Sequence, residues 1–161
     1  MKTSKLYFIL IIILFVFIAR TNCRANETEK KFVAAGLVNI HTVDKSIRVD
    51  LVNSNPEKNY FRENYYNGLN KAYLRVEVAK KLSLAQQYLK SQFPDHSILI
   101  MDAARPRSVS QLMYDKMKGT KFEKFVANPD RGSMHNYGIA VDLFSISFGF
   151  YPENLFDARY S

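Results

Sequence analysis

Apolar and polar residues follow different rhythms along the chain, and each change of rhythm marks a predicted element. From Leu37 to Leu51, Val38, Ile40, Val43, Ile47, Val49 and Leu51 are interleaved with polar residues, which predicts an extended lead-in or edge strand. Asn53 to Asn67 has no period. It is Asn-rich, carries Pro56, and holds Tyr60, Phe61, Tyr65 and Tyr66. Tyrosines in such a loop pack as a lid over a core, or rim a substrate pocket. From Lys71 to Gln92 the period becomes helical, with Leu74, Val78, Leu82, Ala85 and Leu89 on one stripe. Pro94, which lacks an N–H, stops that helix.

Ile98-Leu99-Ile100-Met101 is a short continuous apolar run, suited to a buried strand. Ser108 is placed to N-cap a second helix bearing Val109, Leu112, Met113 and Met117, with Gly119 closing it. Phe122, Phe125 and Val126 read as core contacts on a connecting segment, and Ile139 to Phe144 as another buried strand. The order strand, helix, strand, helix, strand predicts an α+β domain with a small mixed or antiparallel sheet and helices packed on it.

Composition agrees with one domain. The chain has 161 residues, 47% hydrophobic and 24% charged, and a single cysteine, which excludes an internal disulfide framework and Cys-rich zinc modules. The apolar run from Leu6 to Ala19 follows Lys2 and Lys5, the anatomy of a secretory signal. As a helix it rises only about 21 Å, short of the ~30 Å hydrocarbon core. Residues 1–25 are thus expected to be a signal peptide cleaved after Ala25, with Cys23 as a second-choice lipid attachment point. Residues 26–36 are expected to be a polar leader, and 37–161 a single domain. The expected location is extracytoplasmic: periplasm or cell envelope, with membrane contact only through the signal or lipid. Lys2, Lys5, Arg20 and Arg24 fall in the first 25 positions, where there is no acid, so without them the net charge drops from +8 to +4. No nucleic-acid-binding motif accompanies that mild charge, and no nucleic-acid partner is expected.

Two segments carry residues that a core does not select. Asp102-Ala103-Ala104-Arg105-Pro106 directly follows the Ile98–Met101 strand. Its guanidinium suits a carboxylate or a developing oxyanion, and the same spacing suits a local Asp102–Arg105 salt bridge. The second segment runs from Ser133 to Asp142. Asp142 is expected to interrupt an apolar strand, where an ionised carboxylate is costly unless paired or bound to a metal. His135 lies seven positions earlier, and Gly138 lets the chain fold back. A zinc ion shared by His135 and Asp142 relieves that cost; a hydrogen-bonded core histidine is the alternative.

Ser133, His135, Gly138, Ala140 and Asp142 match S-x-H-x-x-G-x-A-x-D at every fixed position. With Asp102-x-x-Arg105-Pro106 and Lys71-Ala72-Tyr73-Leu74 upstream, the chain resembles the D-alanyl-D-alanine dipeptidases, zinc peptidases of the vancomycin-resistance type, from about Gly36 to Leu143. The resemblance implies that fold, one zinc per chain, and hydrolysis of D-Ala-D-Ala in peptidoglycan metabolism. It implies that His135 and Asp142 are zinc ligands, that Arg105 is catalytic at the scissile carbonyl, and that Ser133 binds the substrate terminus. The expected partners are the dipeptide or peptidoglycan fragments.

The family adds a later E-x-x-H-like segment that supplies the general base and third zinc ligand. Neither is found here: no histidine follows His135, and Glu153 stands in an unrelated Pro152-Glu153-Asn154 setting. The C-terminal part of the family domain is therefore expected to be missing. His41 and His96 fall where the family places no ligand, and read as loop or solvated histidines. Asn53-Ser54-Asn55 replaces a usual Tyr-x-Thr. Two further readings stand beside the dipeptidase: a D,D-carboxypeptidase on the same scaffold, and an inactive cell-wall peptide binder or truncated remnant.

Overall fold

The computed structural model describes residues 27–147 together with Tyr7 and Ile11. The rest of the proposed signal segment with Cys23, and the tail with Glu153, lie outside the described residues. Residues 27–34 form helix α1, followed by strands β1 (Leu37–Asn39), β2 (Arg48–Val49) and β3 (Tyr73–Arg75), helix α2 (Val76–Gln92), strand β4 (His96–Asp102), helix α3 (Arg107–Met117) and strand β5 (Asp142–Ser147). The result is a small mixed α+β fold with three helices and two small sheets. β1 pairs antiparallel with β3; β4 lies between parallel β2 and antiparallel β5. No helix among the described residues is long and apolar enough to cross a membrane.

β4 is the spine because both its faces are covered. Ile98 and Ile100 enter the main core, while Leu99 and Met101 meet Ile146 on the other side. That explains why its sequence is a continuous apolar run. α2 packs Ala79 and Leu82 on the core, with Val78 and Leu89 at the margin. Gln86, fully buried, donates to Ser97 Oγ at 3.0 Å and accepts from the Ile98 backbone N–H at 2.8 Å.

Several expectations are corrected. α2 starts at Val76 because Tyr73 and Leu74 pair with Asn39 and Val38 in a sheet, and Ala85 faces solvent. The extended lead-in is two short strands separated by a 3-10 turn over Ile40–Thr42. The polar leader is helical and places Phe32 against Tyr73, ring centroids 5.5 Å apart. α3 starts at Arg107 with Pro106 at its N-cap, so Ser108 is no cap, and Leu112 is exposed. Phe125 is 73% exposed instead of packed in the core. The last strand begins only at Asp142 and is exposed at that end; Ile139–Val141 precede it as irregular backbone.

Candidate metal centre

Asp102 ends β4 and Asp142 begins β5, and the two stand opposite each other across an irregularity in the ladder. His135 arrives from a 3-10 turn, Met134–Tyr137, that Ser133 opens and Gly138 closes. The Ser133 hydroxyl accepts from the His135 backbone N–H at 3.3 Å, so it caps the turn that carries the histidine. Gly138 has φ +66°, and an added Cβ would lie 2.7 Å from Leu37 Cδ2. Only glycine takes both that backbone and that approach.

His135 Nδ1 lies 2.8 Å from the Ala103 carbonyl oxygen. A carbonyl only accepts, so Nδ1 carries a proton, which leaves Nε2 as the ring nitrogen able to present a lone pair to a metal. Nε2 faces Asp142 Oδ2 at 3.7 Å. That is beyond a hydrogen bond and close to the ~3.3–3.6 Å separating two tetrahedral ligands that each sit about 2.0–2.2 Å from one metal. Together with Asp102, these residues place one ligand atom each within 4.8 Å of one another, a group that could hold a metal ion. The sequence had offered two ligands and no third; the fold brings Asp102 to the same place.

Asp102 is otherwise engaged. It is 1% exposed and accepts from Asn53 Nδ2 (3.1 Å), Tyr66 OH (2.5 Å), its neighbour's backbone N–H at Ala103 (3.0 Å), Arg105 Nε (3.1 Å) and Arg105 Nη2. Five donors fill the roughly four lone-pair sites of a carboxylate. The buried carboxylate that needs a partner is thus Asp102, and its partner is Arg105; Asp142, more than half exposed, bears no such cost. Burial works against the Arg105 charge, but the Asp102 carboxylate outweighs it and lifts the guanidinium above its already high pKa. Burial, followed by the Asp102 charge, also pushes the Tyr66 phenol well up.

Asn136 ties the two segments together. Its Oδ1 accepts from Ser133 N (2.8 Å), and its Nδ2 donates to Arg105 O (3.0 Å) and Ser110 Oγ (2.8 Å). The Arg105 N–H in turn donates to His135 O at 3.0 Å. Asn136 was not singled out in the sequence, and Tyr66 and Asn53 were named there only as a loop tyrosine and as part of a departure from the family pattern, not as partners of Asp102; the one available signal was a carboxylate ending an apolar strand, which demands buried donors. His41 bonds the Ile47 carbonyl and His96 packs at a tilt against Phe93, and neither belongs to this group.

Asp102, Arg105 and Asp142 also line a cleft of about 990 Å³. Comparison of the chain with protein-family models, curated proteins and solved structures found no match.

Proposed function

We propose that this protein is a zinc-dependent hydrolase of the bond between two D-alanine residues, on the scaffold of the D-alanyl-D-alanine dipeptidases. The observation that carries the reading is the orientation of His135: Nδ1 held by the Ala103 carbonyl, Nε2 facing Asp142 at 3.7 Å, beside a clamped arginine. An imidazole nitrogen and a carboxylate oxygen are the donor types that suit zinc. Zinc bound there supplies polarisation of a carbonyl oxygen and a more acidic bound water. Arg105, kept charged and oriented by Asp102, offers a fixed positive charge to a substrate carboxylate or a developing oxyanion. Ser133 acts through the backbone of the His135 turn. The expected exported location is where peptidoglycan fragments arise.

A second reading is favoured by the saturation of Asp102. With that carboxylate committed to Arg105, Tyr66 and Asn53, the metal has two free ligands, and the protein is then a cell-wall peptide binder without turnover. Zinc content and D-Ala-D-Ala hydrolysis, measured on the purified chain beside His135→Ala, separate the two. Stoichiometric zinc and turnover, both lost in the variant, establish the hydrolase. A folded, zinc-free and inactive chain leaves the binder.

A further inference from the structure

The cleft that contains Arg105 and Asp142 extends well beyond them. One wall is the loop bearing Tyr60 and Phe61, the other the segment bearing Phe122 and Phe125, with Met113 and Met117 also lining it. Four of these rings form a continuous chain: Phe61 to Tyr60 at 5.7 Å, Tyr60 to Phe122 at 5.4 Å, and Phe122 to Phe125 at 6.4 Å between centroids. Tyr60 is 41% and Phe125 73% exposed, so these two rings face solvent, while Phe61 anchors the chain of rings to the core. Contiguous exposed aromatics at a concave site mark a ligand surface, and methionine side chains adapt to what they contact. The cleft's size is that of sites for ligands much larger than a dipeptide of two alanines, whose two methyl groups leave the rings untouched. At the other end of the cleft Arg105, held by Asp102, offers a cationic group to the peptide's terminal carboxylate.

We infer that the cleft binds a peptide longer than the dipeptide, with a large apolar or aromatic side chain against the Tyr60–Phe122–Phe125 rings and its terminal D-Ala-D-Ala at Arg105 and Asp142. The placement of that terminus rests on the proposed hydrolase; the apolar subsite does not. Covering a phenylalanine side chain there is expected to strengthen binding tenfold or more.

The test is calorimetric titration of the full chain, in chelator to prevent turnover, with Phe-D-Ala-D-Ala, Gly-D-Ala-D-Ala and D-Ala-D-Ala. The expected result is at least tenfold tighter binding of the phenylalanyl peptide than of the glycyl one. That gain should vanish in Tyr60→Ala and Phe125→Ala, each checked by thermal melt to be folded. Equal affinities, a gain that survives both variants, or self-association of the chain with no peptide bound overturns the inference. Zinc-dependent turnover, assayed separately without chelator, together with equal affinities keeps the hydrolase and removes the subsite; a preference without turnover does the reverse.

Discussion

Asn136 shows how a residue can set a site without touching what the site binds. Its three side-chain hydrogen bonds join the turn that carries His135 to the loop that carries Arg105 and to Ser110 on α3. Asn136→Ala removes all three and leaves buried Ser110 and two partly buried backbone groups without this partner, a cost of about 2–3 kcal/mol. Because the same bonds hold the turn from which the His135 ring reaches the Ala103 carbonyl, metal affinity should fall about 10–100-fold as well. Urea unfolding and a zinc titration read the two effects separately. Asn136→Asp keeps the Oδ1 acceptor but loses the Nδ2 donor, and should fall between wild type and alanine. A variant that unfolds and binds zinc as wild type does would mean that Ser133 and Gly138 hold the turn unaided.

At the scale of elements, what the sequence revealed was what repeats. α2 spans 17 residues and β4 seven, long enough for periodicity or an apolar run to show. β1, β2 and β3 have three, two and three residues, too few for any period, and Tyr73 and Leu74 happen to continue the rhythm of α2. α1 is silent for another reason: of Phe32 and Val33, only Phe32 is buried. The candidate site was legible where chemistry and spacing coincide, at His135, Asp142 and Arg105, whereas the donors around Asp102 come from positions 53 and 66, which only the fold brings near. α1 is held to the body by Phe32 on Tyr73 and by Glu29, which accepts from Lys71 (2.8 Å) and Tyr73 OH (3.2 Å). Burial, and then the Glu29 charge, push the Tyr73 phenol up to about 12. A folded-state pKa above the unfolded value of about 10 means this contribution is intact below pH 10 and lost as pH rises through 12. Thermal melts from pH 9 to 12 should therefore show a steeper decline for wild type than for Tyr73→Phe; parallel declines would detach Tyr73 from the alkaline behaviour.

For the molecule as a whole, the candidate metal group sits where the two sheets are stitched together. Ala104 N donates to Tyr73 O (3.0 Å), and Arg75 N to Gly138 O (2.9 Å), so the loops bearing Arg105 and His135 both hang on β3, while Asp102 and Asp142 belong to the other sheet. A ligand that binds this arrangement and not the unfolded chain must stabilise the fold, by about 2.7 kcal/mol at a hundredfold excess over Kd. The two aspartates should then separate the structural role from the metal role. Asp102→Asn leaves the buried Arg105 without its counter-charge and should cost about 3–5 kcal/mol with no metal present. Asp142→Asn alters an exposed carboxylate whose one ion-pair contact among the described residues is the 3.7 Å approach to His135, and should leave the metal-free melting temperature unchanged. Adding zinc should raise the melting temperature of wild type and fail to raise that of Asp142→Asn. If zinc instead stabilises Asp142→Asn as strongly as wild type, Asp142 is not a ligand and the metal reading fails. If Asp102→Asn melts as wild type does, the Asp102–Arg105 pair is not what holds β4 to the rest of the fold, and Asp102 is free to serve as the third ligand.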